Sequence, residues 1–131
     1  NIRFPKGKFH EDEFVFHQIM YSRKKICCIP TVGYHYVQRR YSITSEGPRF
    51  PDCMEAMIER CNYMVEQNDK ELAVLSEGGL IIFEKLLRQR PKSENKDKLK
   101  KQHFKIVIEL YRRGWIKTET LLKRYIRYKI L

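Results

Sequence analysis

Phe14, Val15, Phe16, Ile19, Met20 and Tyr21 lie behind three consecutive acids, Glu11, Asp12 and Glu13, and ahead of Arg23, Lys24 and Lys25. Acids favour the positive end of a helix and bases its negative end, so this order predicts a helix from about Phe9 or His10 to the basic run. The next apolar segments, "KICCIP" and "YHYVQRR", are short, rich in Ile, Cys, Val and Tyr, and separated by Pro30 and Gly33. They predict two extended segments joined by a turn. A lone two-stranded hairpin is marginal in water, so the pair calls for a further neighbour in a sheet.

From Pro51 the period lengthens to that of a helix. Met54, Met57, Ile58, Cys61, Met64 and Val65 form one stripe, and Leu72, Leu75, Gly79, Ile82, Phe83 and Leu86 a second. These predict a helical hairpin, with a bend or break expected at Gly78 and Gly79, since glycine costs roughly 1 kcal/mol against alanine in a helix. "RPKSENKDK" is a polar connector, after which Phe104, Val107, Ile108 and Tyr111 make a third stripe ending near Gly114. Thr118 is placed to cap a last helix with Leu122, Tyr125, Ile126 and Ile130 as its apolar positions. The fold class expected is α+β and mostly helical: one helix and two short strands over residues 1–50, then a bundle of about four helices over 51–131. No internal repeat is visible.

Composition alters this picture in two places. The chain of 131 residues is 42% hydrophobic and 33% charged, a globular balance long enough for one core. Its formal net charge of +11 is uneven: residues 92–131 carry thirteen Lys and Arg against four Asp and Glu. The last helix is therefore basic and amphipathic. Four cysteines at 27, 28, 53 and 61 fit neither a zinc spacing nor a disulfide framework, which points to a reducing cytoplasmic setting and to cysteines packed as small hydrophobes. No apolar run approaches the ~20 residues of a membrane-spanning helix. The chain opens on Asn1 with no leader-like segment behind it, and is read as part of a longer one.

The acid run admits two readings. Three acids stabilise a helix start by about 0.3–1 kcal/mol each. A carboxylate set among Phe9, Phe14, Val15 and Phe16 is also a candidate general base, because partial desolvation raises its pKa. His10, Glu13 and His17 recur at helical spacing, but His10 and His17 are two turns, about 10 Å, apart, too far to share one metal ion unaided.

"RFPKGKFHEDEF", then "YSRKKICCIP", then "YHYVQRRYSIT" together resemble the end of the catalytic domain of bacterial family 2 glycosyltransferases, over about residues 2–45. The resemblance implies a glycosyltransferase-A type fold and inverting transfer of a sugar, of the hexosyltransferase kind, from a nucleotide-sugar donor to a carbohydrate or lipid-linked acceptor, in cell-surface polysaccharide or glycolipid synthesis. By position Asp12 is then the general base and Glu11 its structural or acceptor-binding neighbour. His10 is either a helix-start residue or an active-site contact. Arg39 and Ser42 match the loop that ends the Tyr-rich strand, where the arginine either meets the donor diphosphate or is an exposed strand end. Tyr34 and Tyr36 share a strand face that either stacks on sugar rings or packs in a core. The sequence departs from the family at Pro30, Thr31 and Val32, where Asp-Glu-Pro is common, and at Val37, often an arginine. It also contains no Asp-x-Asp, the element that holds Mg²⁺ or Mn²⁺ against the diphosphate. The cation's ligands are therefore expected upstream, no metal is expected on these residues, and the chain alone is expected to be inactive.

The basic third supports a different class as the alternative, a helical nucleic-acid-binding or interaction module without catalysis. It carries no zinc finger, RNA-recognition signature or clear helix-turn-helix, so specific nucleic-acid recognition is not expected. Residues 92–131 equally suit peripheral contact with an anionic inner leaflet, where each Lys or Arg is worth about 1 kcal/mol.

Overall fold

Met54, Ile58, Cys61, Met64 and Val65 recur every three or four residues, and burying that stripe fixes the centre of the molecule. The computed structural model describes residues 2–35, 37, 50–89 and 94–130. Among these the secondary structure is helical: α1 (Glu11–Tyr21), α2 (Phe50–Glu66), α3 (Lys70–Arg88), α4 (Glu94–Arg112) and α5 (Thr118–Ile130). α2 packs against α1, α3 and α4, and α5 lies on α4. Ala73 and Leu80 of α3 and Leu99, Ile106 and Leu110 of α4 complete the core around the α2 stripe.

The α2–α3 and α4–α5 connections each turn through a left-handed residue just past the helix end. Asn68, with φ 58°, follows α2, and Asp69 and Asn68 return N–H bonds to the carbonyls of Met64 and Val65 at 2.9 and 3.1 Å. Gly114, with φ 68°, does the same after α4, where Trp115 and Gly114 bond to Leu110 and Tyr111. Both are Schellman closures that satisfy carbonyls the helix leaves open. Asp69 then caps α3, its Oδ1 accepting the Leu72 N–H at 3.0 Å.

The expected α+β architecture is not found. Residues 23–35 contain no strand; they run exposed, without ladder pairing, with Ile26, Ile29 and Val32 each more than half exposed. The physical reason is the one that makes any two short extended segments marginal: no third strand in the described chain offers them N–H and C=O partners. The expected second strand lies largely outside the described residues; Tyr34, His35 and Val37 within it are likewise not in a strand. The break anticipated at Gly78 and Gly79 is also absent, since α3 continues through both. Four helices do follow residue 50. Among the described residues no helix is long and apolar enough to cross a membrane.

Candidate functional site

α1 is short, and three layers of contact hold it on α2. Phe14, Val15 and His17 are buried beneath it. His17 meets Tyr63 edge to face at 5.2 Å, and Tyr21 meets the same ring at 5.7 Å. Ahead of the helix, Lys8 Nζ donates to Glu55 Oε2 at 2.7 Å and the Phe9 N–H donates to Asp52 Oδ2 at 3.3 Å. Glu55, with Asp52, holds the Lys8 ammonium above its ordinary pKa against a lesser opposing effect of burial.

This mounting separates the acids. Glu13 is engaged by Arg60 of α2, with Nη2 2.6 Å from Oε2. Glu11 and Asp12 are exposed, and among the described residues neither forms an ion pair. Asp12 Oδ1 accepts the Glu13 N–H at 3.0 Å, which fixes its side chain on the first turn, where the helix end favours negative charge. The expected shielding of the carboxylate by neighbouring phenylalanines does not occur: Phe14 turns into the α2 interface and Phe16 is itself 54% exposed.

His10 precedes the helix in the left-handed region, φ 55° and ψ 45°, and its carbonyl accepts the Glu13 N–H at 3.1 Å. A non-glycine residue there costs roughly 1–2 kcal/mol. Its ring makes no capping hydrogen bond. Tyr34 is described and exposed; Tyr36, Arg39 and Ser42 lie outside the described residues. The structure thus brings His10, Glu11 and Asp12 together at one helix start.

A second polar group, unforeseen from the sequence, sits inside the bundle. His103 of α4 places Nδ1 2.7 Å from Glu84 Oε1 and Nε2 3.1 Å from Glu77 Oε1, and all three residues are buried. Arg124 of α5 reaches the same Glu77 with Nε at 2.8 Å and Nη2 at 3.2 Å. Both ring nitrogens face carboxylates, so the imidazolium, which donates from each, satisfies the site. Two cations then balance two anions. Burial pulls the His103 pKa down, but the hydrogen bonds it donates to Glu77 and Glu84, with their negative charge, outweigh it and the net shift is upward. For Glu77 burial pushes upward, and His103 and Arg124 more than reverse it, leaving a lowered pKa.

Cys27 and Cys28, expected to pack as small hydrophobes, are exposed, and only Cys53 and Cys61 are buried. Burial pushes the Cys53 thiol up to about 11 and the Cys61 thiol up to about 12, so neither is a ready nucleophile. An open groove of about 630 Å³ between α2 and α4, lined by Ile58, Asn62, Gln102, Lys105 and Glu109, includes none of the first-turn acids. No group of three or more His, Cys, Asp and Glu among the described residues converges to hold a metal ion. Comparison of the chain with protein-family models, curated proteins and solved structures gave no match.

Proposed function

We propose that residues 2–45 form the acceptor-activating corner of an inverting family 2 glycosyltransferase of bacterial polysaccharide or glycolipid synthesis, with Asp12 as its general base. One observation carries this reading. Within the acid run Glu13 is taken up by Arg60, whereas Asp12 stands exposed on a helix braced by Lys8, Glu55 and a buried apolar face. A base must hold its geometry while its oxygens stay open to a substrate, and Asp12 alone among the three combines a fixed side chain with a free outer face. The order of residues around it, quoted above, adds the family resemblance.

In this mechanism the acceptor hydroxyl lies about 3 Å from the Asp12 carboxylate. As the hydroxyl oxygen attacks the anomeric carbon, its proton passes to Asp12. The bond from that carbon to the nucleoside diphosphate breaks, the diphosphate leaves with the electron pair, and the anomeric configuration inverts. Glu11, one position earlier, is placed to hold other acceptor hydroxyls, and His10 lines the same helix start. The chain has no Asp-x-Asp, so in this reading the element that holds the cation against the donor diphosphate is not among these 131 residues, and no step here runs through a metal. Free thiols at all four cysteines support a reducing, cytoplasmic setting.

The test is Asp12→Asn in the full-length enzyme that carries these residues. Turnover is expected to fall by about 10²–10⁴-fold, the usual worth of a positioned base, with donor affinity retained. Unchanged turnover, or a product that keeps the donor's anomeric configuration, contradicts the assignment. The 131-residue chain by itself should neither transfer sugar nor hydrolyse donor.

A further inference from the structure

We propose that the outer face of α5 docks on an anionic lipid bilayer. The orientation of the helix comes from its inner contacts. Tyr128 stacks on Phe104 of α4 with ring centroids 4.5 Å apart, and Arg124 reaches Glu77 of α3. Leu122 and Ile126, one turn apart on the other side, are each 55% exposed, and Tyr125, whose ring also meets Phe104 at 5.9 Å, is 44% exposed at their margin. Neither aliphatic side chain belongs to the buried core.

Cations frame this apolar strip. Lys123 and Lys129 flank it and Lys117 precedes the helix, all exposed. Lys129 lies over the Tyr125 ring at 5.8 Å, and Lys123 pairs with Glu119, the one acid in α5. An apolar edge with lysines at its margins suits the headgroup boundary, where the aliphatic tips enter the acyl region and the ammonium groups stay among phosphates.

Charge complementarity selects the occupant. A second copy would set one basic face against another, since residues 92–131 hold thirteen Lys and Arg against four acids. A nucleic acid would answer the cations and leave Leu122 and Ile126 in water. An anionic bilayer answers both. This inference stands on α5 and does not depend on the role of Asp12, although a surface-bound enzyme would meet a lipid-linked acceptor directly.

Flotation of the 131-residue chain with vesicles tests it. The chain is expected to float with phosphatidylcholine vesicles containing phosphatidylglycerol at low salt, to be released at high salt, and to ignore pure phosphatidylcholine. Leu122→Ser with Ile126→Ser should weaken partition by roughly tenfold or more at unchanged helix content, because both side chains are already exposed. Lys123→Glu with Lys129→Glu should weaken it by at least about 25-fold, at about fivefold for each lost cation. Four results would overturn the proposal: no flotation with anionic vesicles at low salt, equal partition of the serine variant, a dimer that the serine variant makes monomeric, or preference for duplex DNA over vesicles at equal phosphate.

Discussion

His103 sits between two carboxylates with both ring nitrogens paired, while His17 lies against Tyr63 with neither nitrogen hydrogen-bonded to a described group. Their titrations should therefore run in opposite directions from the ordinary value of 6.5: His103 upward, and His17 downward because burial disfavours its charged form. The raised pKa of His103 stabilises the fold fully below 6.5, and that contribution fades as pH climbs through the folded value. The lowered pKa of His17 works the other way, contributing above 6.5 and fading as pH falls through its folded value. Imidazole NMR titration checks the pair directly. A His103 that titrates below 6.5, or a His17 above it, contradicts the burial and pairing described here. Denaturant midpoints add a second check: His103→Gln should remove the alkaline-side loss of stability, and His17→Phe the acid-side loss.

At the scale of elements, α3 offers the plainest test. Gly78 has open space where a Cβ would stand and lies in a continuous helix, so Gly78→Ala should stabilise the protein by about 0.5–1 kcal/mol, read from the denaturant midpoint. A loss of stability there would mean that the helix does break at the glycines. α3 also marks where the sequence stopped being legible. The α2 stripe was readable because Met54, Ile58, Cys61 and Met64 are apolar and buried alike. In α3 the apolar positions Leu75 and Ile82 are 71% and 62% exposed, whereas Glu77 and Glu84 face the core. A carboxylate enters a core only with partners, and these stand far along the chain, at His103 and Arg124. Periodicity over one segment does not contain that information. The same offset recurs in α5, whose apolar positions Leu122 and Ile126 face outward while Tyr128 packs inward. The strand pattern of residues 25–35 does not become a strand; pairing, which makes a strand, depends on partners that local composition does not specify.

For the whole molecule, two polar devices tie the helices together at different depths. The inner one joins α3, α4 and α5 through Glu77. Removing one partner from a buried charge network costs about 3–5 kcal/mol, a large share of the usual 5–15 kcal/mol of a domain, so Glu77→Ala should bring the chain close to unfolding at moderate temperature. A melting temperature unchanged in that variant would show the network to be dispensable. The outer device is the Glu13–Arg60 pair, half in solvent and worth at most about 1 kcal/mol, which sets α1 on α2 and leaves Asp12 exposed. The acid run was legible as a helix start and, through its order, as a candidate active site; which acid is structural became visible only with Arg60, 47 residues away. That division is the centre of the account. The proposed role of Asp12 is tested most directly by turnover and melting temperature together for Asp12→Asn and Glu13→Gln, in a protein that carries these residues with a nucleotide-sugar site. Asp12→Asn should lose no more than the ~0.3–1 kcal/mol of a first-turn charge while losing turnover by about 10²-fold or more, and Glu13→Gln should lose a similarly small amount of stability and keep most of its turnover. The reverse pattern, with catalysis lost at Glu13 and retained at Asp12, would contradict it.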